Sequence, residues 1–154
     1  MPLNQSLVGR EYPAPTKYDV SRETIRRFAV AIGDSNPLYH DPEVARAAGH
    51  PDVVAPPTFL TVLTHRFHND GPVEDPELGL DYSVVVHGEQ RYTHHRPIVA
   101  GDVLSAVQVI DEIRVAGRNE LMGFTTHVTD ADGKPVAEMY VSMISRGTAP
   151  QEAS

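Results

Sequence analysis

Apolar residues in the first half of the chain recur at helical spacing, and those in the second half alternate at strand spacing. In "SRETIRRFAVAIG", Ile25, Phe28, Ala29 and Ile32 fall on one helical face behind a capping-type Ser21, which predicts an amphipathic helix ending at Gly33. "DPEVARAAG" follows, with Asp41 as N-cap, Pro42 at the first helical position and Gly49 as the stop, a helix of only two turns. In "PTFLTVLTHRFHND", Phe59, Leu60, Val62, Leu63 and Phe67 cover more than half the helical circumference. A helix over residues 57–68 is therefore expected to be largely buried.

The pattern changes after the loop "NDGPVEDPELGLD". Four runs from Ser83 onward carry strand signals: "SVVVHGEQRYTHHR", "VLSAVQVIDEIRV", "ELMGFTTHVTD" and "PVAEMYVSMISR". The last places Ala137, Met139, Val141 and Met143 on one face, while "PIVAGD", "AGRN" and "DADGK" supply turns between the runs. "TKYDV" predicts an extra edge strand, and "GTAPQEAS" predicts a disordered tail over residues 147–154. Helices first and long antiparallel strands afterwards define an α+β domain over residues 1–146, with one buried helix against one face of the sheet. An exposed edge on such a sheet is a liability, so dimerisation through it is expected.

Composition narrows the function classes. A chain of 154 residues supports one core, and the absence of cysteine removes disulfides, thiolate metal sites and cysteine nucleophiles. No stretch has the pattern of a secretory signal or the length of a membrane span, which predicts a soluble, cytoplasmic protein. A formal charge of −8 argues against nucleic acid as a partner. A small-molecule or protein partner fits better.

The candidate chemistry begins at "GDSNPLYHDP", residues 33–42. A turn explains the Gly, Asp, Asn and Pro, but it has no need of Tyr39 and His40. Together with "VVAPPTF" and "HGEQRYTHHRPIVAGD", this stretch resembles the MaoC-type hydratases and dehydratases of (3R)-hydroxyacyl and trans-2-enoyl thioesters. The resemblance is nearest to the actinobacterial FAS1-like dehydratase subunits and runs from about Leu7 to Arg146. It implies the hot-dog fold, a long antiparallel sheet wrapped around a central helix. It also implies a syn elimination in which a His takes the Cα proton while an Asp serves the β-hydroxyl. A neutral imidazole and a carboxylate can divide those roles. No cofactor is implied, since elimination of water transfers no electrons.

Two positions depart from the active pattern. The family's His stands five residues after the Asp; here that position is Tyr39, and His40 lies one place further on. An offset of one residue swings a side chain by roughly 100° at helical geometry. Ahead of the central helix the family's His-Gly pair is replaced by Pro56-Pro57, and proline has no N–H to offer an oxyanion. Thr58 still has an amide.

Other candidates have plainer readings alongside. Asp34 and Asn36 suit helix-end and turn roles as well as catalysis. His87 before Gly88 corresponds to the family's substrate groove, or is an ordinary strand histidine. His65 and His68 have a metal-compatible spacing but no third ligand, so no metal is expected. His94 and His95 point to opposite faces of a strand. Arg91, His94, His95 and Arg96 form a basic cluster suited to a phosphopantetheine or an acidic carrier, or to edge protection.

The reading that follows is a subunit of a (3R)-hydroxyacyl-thioester dehydratase, acting on acyl-CoA or acyl-carrier-protein thioesters. It supplies acyl binding and half of a dimer with a catalytic hot-dog partner. Catalytic candidates are Asp34 and His40. Substrate-binding candidates are Asn36, Tyr39, Thr58, Phe59, Leu63, His87, Gly88, Arg91 and Arg96, with the acyl chain running past Phe59 and Leu63. The alternatives are a self-sufficient homodimeric (R)-specific enoyl-CoA hydratase using Asp34 and His40, and a non-catalytic acyl-thioester-binding module.

Overall fold

The computed structural model describes residues 2–64 and 71–150. Its main helices and strands are β1 (Glu11–Pro13), β2 (Tyr18–Asp19), α1 (Arg22–Ala31), α2 (Pro42–Ala47), α3 (Leu60–Thr64), β3 (Val85–His94), β4 (Val103–Ala116), β5 (Asn119–Thr129) and β6 (Pro135–Ser145). The strands form one antiparallel sheet of six in the order β1-β4-β5-β6-β3, with β2 beside β1 along the same side of β4. This confirms the α+β architecture, including the edge strand expected at "TKYDV".

Local chemistry explains the helix ends. Ser21 Oγ accepts the Thr24 amide at 3.1 Å and opens α1. Gly33, at φ +72°, turns the chain out, and the Asp34 amide donates back to the Ala29 carbonyl. Ile25 and Ala29 are fully buried, but Ile32 lies beyond the last helical residue and is 48% exposed, so it leaves the apolar face predicted for it. Asp41 Oδ1 accepts the amides of Glu43 and Val44, and Pro42 opens α2 as expected.

The central helix is helical over Leu60–Thr64; residues 57–59 form the turn leading into it. Residues 65–70, including His65, Phe67 and His68, lie outside the described residues. Phe59, Leu60 and Leu63 are buried in one core with Ile110, Met122, Phe124, Val128, Met139 and Val141 of the sheet. Phe59 also meets Phe28 edge-on at 5.6 Å between ring centroids.

Two strand details matter for the site. Ser83 and Val84, expected in a strand, sit in a 3-10 turn because Asp81 Oδ1 accepts the Ser83 amide and caps it. In β3 the pairing steps from His87↔Met143 to Glu89↔Ser142, which leaves Gly88 as an extra residue, a β-bulge. A Cβ on Gly88 would lie 2.7 Å from Ser142 Oγ. The bulge keeps His87 on the same face as Gln90, Tyr92 and His94, beside the apolar face of β6. β3 ends the strand order, largely exposed, with one side of its ladder unpaired among the described residues. The tail starts ordered: the Gly147 amide donates to Asn119 Oδ1 and the Ala149 amide to the Arg118 carbonyl, while residues 151–154 lie outside the described residues.

Candidate functional site

Loop 33–42 is a chain of side chain to backbone turns. Asp34 Oδ1 accepts the Asn36 amide at 3.0 Å, and Asn36 Oδ1 accepts the Leu38 amide at 3.1 Å to cap a short 3-10 turn over Pro37–Tyr39. The Val54 amide donates to the Leu38 carbonyl and ties the loop to the strand leading into the central helix. Tyr39 turns inward and joins the core. Burial pushes its phenol above the usual range and the charge of Asp34 adds to this. It is a poor proton acceptor at neutral pH.

His40 does not meet the Asp34 carboxylate. Its Nε2 lies 3.1 Å from the Asp34 carbonyl oxygen, and a carbonyl only accepts, so that nitrogen carries the proton and donates. Asp34 and His40 are thus neighbours through the backbone rather than an acid–base dyad. At the start of the central helix the Pro57 carbonyl accepts from His94 Nε2 at 2.8 Å, and Thr58 is exposed.

A cleft of about 520 Å³ opens on the other side of α3. Thr61 and Thr64 of α3 form one wall, and His87, Gly88 and Gln90 of β3 form another. Its floor is Met139, Val141 and Met143 of β6 with Gln108 of β4. The expected acyl-contact residues His87 and Gly88 are here. Phe59 and Leu63 are not: both point to the closed side of α3, are at most 1% exposed, and lie outside the cleft lining. The helical periodicity correctly made them buried, but burial in a core and burial along a ligand path look identical in a sequence.

The basic cluster is also reassigned by geometry. Arg96 makes a two-nitrogen contact with Asp102, at 2.8 and 3.0 Å, and approaches Asp130 at 3.7 Å, so it clamps two turns. These carboxylates hold its guanidinium more firmly protonated. Arg91 lies over the Tyr140 ring at 4.7 Å and 3.5 Å from Glu89, on the outer sheet face away from the cleft. Among the described residues there is no cluster of three or more groups able to hold a metal ion, and no helix is long and apolar enough to cross a membrane.

The sequence reading missed Thr61, Gln90, Tyr92 and Gln108. Thr61 Oγ1 and Tyr92 Oη meet at 2.6 Å and join the helix to β3. Gln108 had a legible signal, since it is the one polar residue in the buried phase Leu104, Ala106, Gln108, Ile110 of β4.

A long antiparallel sheet with a buried helix on its inner face and a cleft between them is the hot-dog architecture of the MaoC-like hydratases and dehydratases. Within that class the chain belongs to the FAS1-like dehydratase family, whose description, "FAS1-like, dehydratase domain region", matches residues 6–139. It is 52% identical over 149 residues to a UPF0336 protein of Saccharopolyspora erythraea, covering 97% of this chain and 95% of that one. It superposes on a chain of the C-terminally truncated HadBC (3R-hydroxyacyl-ACP dehydratase) complex of Mycobacterium tuberculosis with a TM-score of 0.78 and 28% identity, over 90% of this chain and 96% of the other. The ChsH1-ChsH2 complex of the same organism gives a TM-score of 0.73 and 28% identity, over 89% and 88% of the two chains.

Proposed function

We propose that this chain is the acyl-binding subunit of a (3R)-hydroxyacyl-thioester dehydratase whose working Asp/His pair comes from a partner of the same fold. One observation carries the reading: the loop that would house the chemistry is bonded to itself, while a cleft of about 520 Å³ with an apolar floor lies beside α3. His40 Nε2 is occupied by a backbone carbonyl, Tyr39 is buried where the family's base stands, and Pro57 offers no amide donor. The acyl chain occupies the cleft over Met139, Val141 and Met143, with the thioester on coenzyme A or a carrier protein. The exposed edge of β3 is the surface that a hot-dog partner extends, and the two solved complexes named for paired subunits support that expectation.

The test is hydration of crotonyl-CoA by the purified chain alone and again with the subunit that copurifies from its native cell. Near-zero activity alone and ordinary rates with the partner are expected. A second reading, a homodimeric hydratase, is favoured by the single hydrogen bond that brings His40 against Asp34. Ordinary rates from the chain alone, abolished by Asp34→Asn or His40→Ala, would establish it instead.

A further inference from the structure

The pairing registers sort the inner face of the sheet into rungs. One runs His94, Ala137, Val128, Ala106, and another runs Gln90, Val141, Phe124, Ile110. The rung between them runs Tyr92, Met139, Thr126, Gln108, so on β4 and β5 a polar pair, Gln108 and Thr126, interrupts a face that is apolar to either side, at Ala106 and Ile110 and at Val128 and Phe124. Tyr92 is satisfied by Thr61 from α3. Gln108 is 6% exposed, and its Nε2 donates to Thr126 Oγ1 at a long 3.3 Å. No group among the described residues donates to its Oε1, and the side chain lines the cleft. An amide acceptor with no protein partner on the cleft lining is open to whatever enters the cleft, water or ligand.

The rung's place along the sheet says what that is. The His94 end is where the backbone of residues 54–57 ties loop 33–42 to the fold, through the Val54 amide and Leu38 carbonyl and through His94 and Pro57. A thioester seated with its head at the His94 end of the cleft puts its first acyl carbons at the polar rung. Its tail then continues past Val141 to Met143, one rung every roughly 7 Å.

We propose that Gln108, held by Thr126, accepts a hydrogen bond from the 3-hydroxyl of the bound acyl chain, and that this contact makes the cleft prefer a 3-hydroxyacyl thioester over the saturated thioester of equal length. The inference rests on the acyl-thioester reading above. A methylene opposite Oε1 displaces water without replacing its hydrogen bond, whereas a hydroxyl replaces it. Gln108 acts here as a specificity residue, taking no proton itself.

Calorimetric titration of the full chain with 3-hydroxydecanoyl-pantetheine and with decanoyl-pantetheine tests this, repeated on Gln108→Met and Thr126→Val. The wild type is expected to bind the hydroxylated ligand about three- to tenfold more tightly, the range of one neutral hydrogen bond. Gln108→Met is expected to hold decanoyl-pantetheine at least as well and to lose the preference; Thr126→Val is expected to weaken it. Equal affinities in the wild type, which needs no variant to fold, would overturn the role of Gln108 while leaving the acyl-thioester reading intact. An undiminished preference in Gln108→Met would overturn that role equally. Binding of neither ligand would remove both.

Discussion

Loop 33–42 and the cleft beside α3 both carry polar side chains, but they use them in opposite ways. In the loop, Asp34, Asn36, His40 and Asp41 each bond to a nearby backbone group, and the result is a rigid turn between α1 and α2. In the cleft, His87 and Gln108 face a volume large enough for a ligand. A motif can therefore retain the residues of a catalytic loop while its hydrogen bonds are directed at holding shape.

The largest expected effect separates the two sides of α3. Phe59→Ala should cost about 3–5 kcal/mol, because a fully buried ring is lost from a closed core. Thr61→Ala, on the cleft side, should cost about 1 kcal/mol or less. Urea unfolding of both variants measures this directly. A Phe59→Ala protein that keeps its stability but accepts longer acyl chains would return Phe59 to the ligand path.

Next comes the bulge that shapes the β3 wall. Gly88→Val places a branched side chain against Ser142 and Ile144, and a cost of about 1–3 kcal/mol is expected from the forced shift. Acyl-pantetheine affinity should fall with it. Unaltered affinity in a folded Gly88→Val protein would show that the bulge does not shape the binding wall.

The comparison is most directly attacked through the loop itself. On the proposed reading, with the copurifying subunit present, Asp34→Asn and His40→Ala should each lower turnover less than tenfold, as expected of residues outside the reacting groups. Losses of a hundredfold or more would put the chemistry back into loop 33–42.

The smallest effect concerns the anchor of that loop region. Asp52 is bound by Arg22 through two nitrogens, and the Arg22 hydrogen bonds hold its carboxyl down to about 2. Because the folded value is depressed from an ordinary value near 3.8, the stability this adds is present above about pH 4 and is lost as pH falls through 2. Asp52→Asn should therefore be less stable than the wild type at pH 6, with the gap closing toward pH 2. A gap that is constant across that range in acid titrations of unfolding would assign the effect to packing.

Much of the fold was legible because local signals agreed with the tertiary outcome. Ser21, Asp41 and Pro42 cap helices where the sequence places them, and the alternation in β6 matches its buried face. What failed were distinctions that require knowing what lies across the chain. Arg96 reads as a free cation until Asp102 and Asp130 are brought to it by two turns. Phe59 and Leu63 read as tunnel walls until the closed side of α3 is identified. For Tyr39 and His40 the sequence shows which residues stand there, but only the fold shows that one side chain is buried and that the other meets the Asp34 carbonyl.

The extra residue at Gly88 makes β3 a matter of counting. Sides of a strand are assigned by odd and even position, and one surplus residue reverses that assignment for everything before it. His87 and Gln90, three apart, share a side only because of it. Substitutions along β3 leave the count untouched, whereas deleting one residue at this point would carry Val85 and His87 together to the opposite surface. Length in this segment is thus constrained more tightly than identity, and variation among related chains should change its letters before it changes their number.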